Sequence, residues 1–156
     1  MATYEGTLAP PPGRFALVAA RFNQFVVDPL VAGARDGLTR HGVPEDAIDL
    51  VWVPGSLEIP LVAQRLAASK KYAAVICLGA VIRGETGHYD HVAGGAASGV
   101  AQAALGTGVP VIFGILTCDT VEQAINRSGG KSGNKGFESA LAAVEMVNLL
   151  RRMPDK

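Results

Sequence analysis

Apolar runs alternate along the chain with longer stretches in which apolar residues recur at helical spacing. The runs predict buried strands, because a strand that helices cover on both faces is apolar almost throughout. They occupy residues 15–22, 47–54, 73–82 and 110–117. The stretches with helical spacing predict helices over residues 26–42, 57–69, 89–105 and 137–153, and a shorter helix that ends near Arg127.

Local signals mark the ends of several of these elements. His41 and Gly42 close the first helix and form a good C-terminal stop. Asp119 and Glu122 stand three residues apart, which is the spacing of a capping box ahead of the short helix. The stretch SGGKSGNKG, residues 128–136, predicts a polar, glycine-rich connection to the last helix.

Strands that alternate with helices predict a parallel sheet with helices on both faces, because the crossover between parallel strands is right-handed. We therefore expect a single α/β domain over residues 15–156, a three-layer α/β/α flavodoxin-like sandwich with a four-stranded parallel sheet. Residues 1–14, which contain PPPG, lie outside this pattern. They predict an N-terminal arm that could add a strand to the sheet of a neighbouring subunit.

The composition is that of a globular protein and argues against several kinds of partner. Of the 156 residues, 49% are hydrophobic and 18% are charged, and 14 basic residues balance 14 acidic ones. Because no block of like charge is present, we expect no binding to nucleic acid or to a membrane surface. No signal peptide is visible. Cys77 and Cys118 lie in or beside apolar runs and indicate reduced thiols in a cytoplasmic protein.

Polar or glycine residues follow each predicted strand. The set comprises Phe22 and Asn23, then Gly55, Ser56 and Glu58, then residues 83–86 with His88, and finally residues 117–119. Loops after strands are ordinarily polar, so any one of these loops alone is weak evidence. Ligands of open parallel sheets bind beyond the carboxyl ends of the strands, where all four loops meet. Their convergence predicts a binding site at this edge.

The stretch IRGETGHYDHV, residues 82–92, holds the densest group of polar side chains. Backbone N–H groups at a helix N-terminus bind anions, and Gly84 would let a phosphate approach, although Thr86 is equally well explained as a helix cap. Histidine suits proton transfer near neutral pH, so His88 is either a catalytic group or a structural one. His88 and His91 are one helical turn apart, but no third ligand accompanies them at a recognised spacing, so we expect no metal.

Basic residues flank the glycine-rich connection. Arg127 suits bidentate phosphate binding, and Lys131 and Lys135 supply point charges, although a solvated loop is the better explanation on this observation alone. GGKSG resembles the end of a P-loop, but it follows a helix and lacks the first glycine, so it predicts no nucleotide cradle. Phe22 at a strand end could stack on a flat ring, whereas Phe113 lies within a strand and is expected in the core.

Five longer motifs can be compared with known families. They are ARFN at 20–23, PGSLEIP at 54–60, GAVIRGETGHYDHV at 79–92, PVIFGILTCDTVEQAINR at 110–127 and GNKGFE at 133–138. Together they resemble the 6,7-dimethyl-8-ribityllumazine synthase family of riboflavin biosynthesis, over nearly the whole chain. The resemblance implies that a ribitylamino-substituted diaminouracil condenses with a dihydroxybutanone phosphate, without a cofactor or a metal.

The resemblance also implies a role for individual residues. The pyrimidine and its ribityl chain would contact Phe22, Ser56, Leu57, Glu58, Ala80, Val81, Ile82 and Phe113. The phosphate would contact Gly84, Glu85, Thr86, Arg127 and Lys135. His88 would be the catalytic residue that moves protons during imine formation and elimination. Arg83, Asp90 and His91 receive no role.

The family further implies a homo-oligomer, either a pentamer or an assembly of pentamers. Its site would lie between subunits, with Phe113, Arg127 and Lys135 reaching in from the neighbour, and riboflavin synthase would be a further partner. Three alternatives stay open: a riboflavin synthase of the same fold, a binding module for flavin or phosphate, and a structural shell protein without catalysis.

Overall fold

A parallel sheet of four strands forms the centre of the protein, whose computed structural model describes residues 1–155. The strands are β1 (Phe15–Ala20), β2 (Ile48–Val53), β3 (Ala74–Ile82) and β4 (Val111–Cys118). Their order is β2-β1-β3-β4, and every neighbouring pair is parallel. The predicted four-stranded sheet is confirmed. The largest difference in its bounds is that β1 ends at Ala20 rather than at residue 22.

Helices cover both faces of this sheet. They are α1 (Gln24–Arg40), α2 (Ile59–Ala68), α3 (His88–Thr107), α4 (Val121–Arg127) and α5 (Lys135–Arg152). Alternate side chains of β1 explain the layering. Leu17 belongs to one core cluster, with α1 and α5, and its neighbour Val18 belongs to the other, with α2 and α3. The three-layer flavodoxin-like sandwich is thus confirmed. Within the described residues, no helix has the length and apolarity to cross a membrane.

Helices α1 and α5 cross so closely that only small residues fit between them. Gly136 of α5 is buried, and a side chain there would overlap the backbone carbonyl of Leu30. At Gly37 of α1, a Cβ would lie 2.8 Å from the Cβ of Ala140. Because real Cβ atoms do not approach other atoms so closely, both glycines are needed for the helices to pack at this distance.

Asn134 joins the same two helices. Its side-chain Nδ2 donates a hydrogen bond to the carbonyl of Pro29 in α1 at 3.0 Å. Its Oδ1 accepts one from the backbone N–H of Phe137 at 3.1 Å, which caps the N-terminus of α5. One side chain therefore sets both where α5 begins and where it lies against α1.

A short antiparallel hairpin, β5 (Ser128–Gly130) with β6 (Gly133–Asn134), precedes α5. The sequence predicted a polar, glycine-rich connection over residues 128–136 but not the hairpin within it. Gly129 and Gly133 have φ of +105° and +91°, which favours glycine and lets the chain reverse within a few residues. The predicted stop after α1 is confirmed, since Gly42 adopts a φ of +92° just beyond the helix.

The capping box of α4 lies one residue later than predicted. Thr120 rather than Asp119 is the N-cap, and its Oγ1 accepts a hydrogen bond from the N–H of Gln123 at 3.1 Å. The Gln123 side chain in turn accepts from the N–H groups of Asp119 and Thr120 at 2.8 and 3.3 Å. A Thr and Gln pair satisfies the capping rule as well as the predicted acidic pair would.

Residues 1–14 form no helix or strand. Part of this arm lies along α5, where Asn148 Nδ2 donates hydrogen bonds to the carbonyls of Thr7 and Ala9 at 2.8 and 2.9 Å. The addition of the arm to a neighbouring sheet and the domain boundary at residue 15 stay predictions. The predicted domain extends to Lys156, which lies outside the described residues.

Arg14, Asp49 and Tyr72 connect the amino ends of β1, β2 and β3. The Asp49 carboxylate accepts hydrogen bonds from the Tyr72 hydroxyl at 2.6 Å and from the Arg14 guanidinium at 2.8 Å. The hydrogen bond from Tyr72 is the main reason that the pKa of Asp49 is lowered, and the bond from Arg14 adds to it. The hydrogen bond between Tyr72 and Asp49 also raises the pKa of Tyr72. The cluster therefore stabilises the fold when Asp49 is charged and Tyr72 is protonated.

We expect Tyr72→Phe to lower the free energy of unfolding by about 1 kcal/mol at pH 7, because it removes a hydrogen bond to a partly exposed carboxylate. The lowered pKa of Asp49 contributes stability above about pH 4, which is lost as the pH falls through the folded value. The raised pKa of Tyr72 contributes stability below about pH 10, which is lost as the pH rises through its folded value.

Denaturant unfolding across this pH range measures the difference between wild type and variant. This difference in the free energy of unfolding should be largest near neutral pH and vanish in strong acid. Tyr4→Phe, which alters an exposed tyrosine of the arm, is the control. An equal loss of stability in both variants would contradict the role of the cluster.

Candidate active site

The strand order reverses between β1 and β3, and a crevice lies at this point on the carboxyl edge of the sheet. Two adjoining cavities, of about 350 and 230 Å³, share Phe22, Ser56 and His88. We call them together the histidine cavity. The sequence-predicted residues that line it are Phe22, Ser56, Leu57, Glu58, Ala80, Val81, Ile82, Gly84, Thr86 and His88. Glu85 is exposed in the same loop and is not among the lining residues.

The turn after β1 presents the ring of Phe22. The Phe22 N–H donates to the carbonyl of Pro54 at 3.1 Å, and Asn23 Nδ2 donates to the carbonyl of Ala80 at 2.9 Å. Asn23 has a φ of +64°, a left-handed conformation that asparagine tolerates better than most residues. Tied in this way to β3 and to the loop after β2, the turn holds Phe22, which is 72% exposed, so that its ring is able to stack on a flat ligand.

Gly79 lets the loop after β2 lie directly on β3. Ser56 is buried, and a Cβ at Gly79 would lie 2.7 Å from its Oγ. The neighbouring side chains of Leu57 and Glu58 are exposed. Only glycine at position 79 allows this approach, so Gly79 sets the depth of the cavity floor.

The N-terminus of α3 forms another wall of the histidine cavity. His88 is the first residue of α3 and is exposed, and its N–H donates to Thr86 Oγ1 at 3.3 Å. This bond is local to the loop, and the N-cap of α3 is Gly87 rather than Thr86. A Cβ at Gly84 or Gly87 would meet nothing within 4 Å, so the loop leaves room for an anion beside the free N–H groups of the first turn.

His88 and His91 do not belong to a larger cluster of metal-binding side chains. In the part of the chain that the structure describes, no three His, Cys, Asp or Glu side chains lie close enough together to hold a metal ion.

A second cavity, of about 400 Å³, lies between β4, the end of α4 and the start of α5. We call it the arginine cavity. Its lining includes Phe113, Thr117, Arg127, Ser132, Lys135 and Glu138. The β5–β6 hairpin and the Asn134 cap set the distance between the two basic residues. Phe113 is half-buried and packs against the core while it lines this cavity, so its expected core position is only partly correct.

Sequence reasoning missed Glu138 and Ser132. Glu138 follows Lys135 by three residues in the motif GNKGFE, and residues three apart on a helix lie on the same face. This spacing is the signal that could have found it. No comparable signal marks Ser132, whose position depends on the hairpin.

The predicted site residues therefore form two groups in one chain. Phe113, Arg127 and Lys135 line the arginine cavity, and none of the lining residues of that cavity belongs to the histidine cavity. Arg127 and Lys135 therefore do not share a cavity with His88 in one chain.

Both cysteines are buried. Burial raises the pKa of Cys77 to about 12 and also raises the pKa of Cys118. Because a thiol with a raised pKa stays protonated at neutral pH, neither cysteine has the reactivity of a nucleophile.

The amino-acid sequence matches the model of a protein family over residues 12–151, and that family is described as 6,7-dimethyl-8-ribityllumazine synthase. The matched segment begins just before β1 and ends within α5, so it contains the sheet and both cavities.

We expect Gly79→Ala to lower the free energy of unfolding by about 1–3 kcal/mol, because the added methyl group collides with Ser56. Gly79→Ala combined with Ser56→Ala should recover most of the loss, since the next atom lies 3.4 Å from the added Cβ. Gly106→Ala in α3, where a Cβ meets nothing within 4 Å, is the control. Denaturant unfolding of the variants measures these differences, and a double variant no more stable than Gly79→Ala would show that Ser56 is not the obstacle.

Proposed function

The chain belongs to the 6,7-dimethyl-8-ribityllumazine synthase family, and we propose that it condenses 5-amino-6-(D-ribitylamino)uracil with 3,4-dihydroxy-2-butanone 4-phosphate. The products are 6,7-dimethyl-8-ribityllumazine, phosphate and water, and the reaction is the penultimate step of riboflavin biosynthesis in the cytoplasm. The observation that carries the proposal is the family match over residues 12–151, which spans both groups of site residues.

The histidine cavity takes the pyrimidine. Phe22 stacks on the ring, and the 72% exposure of its side chain supports this role, because so exposed a phenyl ring is available to a ligand. Ser56, Leu57 and Glu58 hold the ribityl chain. The backbone of Ala80, Val81 and Ile82 contacts the pyrimidine edge, with the Ala80 carbonyl already engaged by Asn23.

The phosphate binds between the loop that precedes α3 and the arginine cavity. Gly84, Glu85 and Thr86 contribute through backbone N–H groups, since the Glu85 carboxylate would repel a phosphate. Arg127 and Lys135 supply the positive charge. The open loop at Gly84 supports this assignment.

The complete site forms between two subunits, with the histidine cavity of one facing the arginine cavity of its neighbour. Two observations support a homo-oligomer, which the family suggests is a pentamer or an assembly of pentamers. The two cavities share no lining residue. Leu61 of α2 and Leu105 of α3 are 70% and 87% exposed, and a second subunit would cover them. Riboflavin synthase, which uses the product, is a further candidate partner.

The chemistry requires proton transfer and exclusion of side reactions rather than a strong nucleophile. The amino group of the pyrimidine attacks the ketone, and loss of water gives an imine. Phosphate then leaves, and attack by the ribitylamino nitrogen closes the ring with loss of a second water. His88 donates and accepts protons in these steps, which suits an exposed imidazole at the mouth of the cavity.

Mixing the protein with both substrates and following lumazine fluorescence tests this function. We expect turnover well above the spontaneous rate, and a loss of up to about 10²–10⁴-fold in His88→Gln, because a general acid and base contributes that much at most. Formation of riboflavin from lumazine would instead favour a riboflavin synthase. Binding of substrates without turnover in the wild type would favour a binding module.

Arg127→Ala should raise the KM for the phosphate substrate by about 10- to 100-fold and leave the KM for the pyrimidine nearly unchanged, because a charge-assisted bond to phosphate is lost. Arg127→Lys should recover only part of the loss, since lysine lacks the bidentate geometry. Arg151→Ala, at the far end of α5, is the control. Equal changes in both KM values would contradict the assigned role.

A further inference from the structure

Arg83 connects the segment after β4 with the first turn of α3, which borders the histidine cavity. Its Nε donates a hydrogen bond to Asp119 Oδ1 at 2.9 Å, beyond the end of β4. Its guanidinium lies over the ring of Tyr89, 4.3 Å from Cζ to the ring centroid, and 3.7 Å from Asp90 Oδ1. Tyr89 and Asp90 directly follow His88 in the first turn of α3. We call this group the Arg83 clamp.

The end of the clamp at Asp119 is firmly anchored. The Asp119 N–H donates to the side chain of Gln123 at 2.8 Å, and Gln123 also completes the capping box of α4. The Arg83 N–H donates to the carbonyl of Cys118 at 2.8 Å. Arg83 is therefore held by the last residue of β4 and by a carboxylate whose own backbone N–H is bonded to α4.

The segment at the other end of the clamp has few other contacts. Residues 83–88 are exposed, and neither Gly84 nor Gly87 has an atom within 4 Å of where a Cβ would be. The nearby Thr86 bond to the His88 N–H is local to the loop. Tyr89, which Arg83 covers, also lines the histidine cavity. The clamp is therefore well placed to set the position of the first turn of α3 and with it His88.

We propose that Arg83 is a positioning residue, which holds the loop 84–87 and His88 over the histidine cavity by clamping Tyr89 and Asp90 to Asp119. The expected effect of Arg83 on turnover rests on the proposed function, whereas its expected effect on the order of residues 84–92 does not. Because an exposed ion pair adds little to global stability, the consequence of the clamp is local. Misplacement of a catalytic group by about 1 Å can reduce turnover by about 10²-fold.

Two measurements on Arg83→Gln test the proposal. Hydrogen exchange followed by mass spectrometry reports the order of residues 84–92 whether or not the protein is active. Lumazine formation reports kcat and both KM values. We expect faster exchange in this segment, a kcat lower by about 10- to 100-fold and an almost unchanged thermal midpoint. Arg83→Lys, which keeps the charge but cannot reach both carboxylates and cover the ring together, should recover part of the loss.

A matched control exists on α1. Arg40 Nε donates to Asp36 Oδ1 at 2.8 Å in another exposed pair, which lines neither cavity. Arg40→Gln should change neither exchange in residues 84–92 nor kcat. Asp119→Asn should reproduce the effect of Arg83→Gln, and the double variant should be no slower than Arg83→Gln alone, because the two residues act as one unit.

The outcomes separate this proposal from the proposed function. If the wild type forms no lumazine, the proposed function fails, and faster exchange in Arg83→Gln still supports the clamp. Unchanged exchange with unchanged kcat overturns the clamp. Unchanged exchange with a lower kcat also overturns it, because Arg83 would then act on the substrate directly. If the wild type is active and Arg83→Gln shows faster exchange but a normal kcat, the clamp orders the loop without positioning His88. That result overturns the proposal as well.

Discussion

Burial of β1 on both faces is the constraint on which the rest of the structure depends. All six residues from Phe15 to Ala20 are buried, so helices must cover the sheet from both sides. In the sheet, β2 lies on one side of β1 and β3 lies on the other. The connections that follow β1 and β3 diverge from each other, and the histidine cavity lies in the crevice between them. The location of the site is thus a consequence of how the core is covered.

The close crossing of α1 and α5 has a comparable effect on the arginine cavity. Gly136 allows the approach, and Asn134 fixes the first turn of α5 by its bonds to Pro29 and Phe137. Lys135 follows directly, and the hairpin returns the chain from Arg127. Packing on one face of the sheet therefore sets the separation of two cationic side chains at its edge. Within one subunit these two side chains line a different cavity from His88.

Much of this fold could be predicted from the sequence, because the apolar runs and helical spacings have strong periods. The uninterrupted run at 73–82 predicts β3 almost to the residue. The hairpin at 128–134 could not be predicted in the same way, since it depends on the positive φ of Gly129 and Gly133 rather than on a hydrophobic pattern. The capping box lies one residue later than predicted, because Thr120 and Gln123 satisfy the same rule as Asp119 and Glu122.

The site was predictable only in part. Strand ends predicted that Phe22, Ser56 and His88 lie together, because parallel strands bring their carboxyl ends to one edge. The same logic would place Thr117 beside His88, whereas Thr117 lines the arginine cavity. Its position depends on α4, the hairpin and α5 folding back over the end of β4, which periodicity does not reveal. The division of the site between two subunits was an expectation from the family resemblance, and no pattern in a single chain could have indicated it.

Co-assembly of two impaired variants tests the shared site most directly. One variant carries Phe22→Ala and His88→Gln in the histidine cavity, and the other carries Arg127→Ala and Lys135→Ala in the arginine cavity. If neighbouring subunits complete each site, equal co-expression should restore roughly a quarter of the wild-type sites, because about half of the subunits have an intact histidine cavity and about half of those face a neighbour with an intact arginine cavity. Native mass spectrometry would verify that both variants are present in the same assembly. Lumazine formation no faster in verified mixed assemblies than in the separate variants would contradict a site shared between subunits.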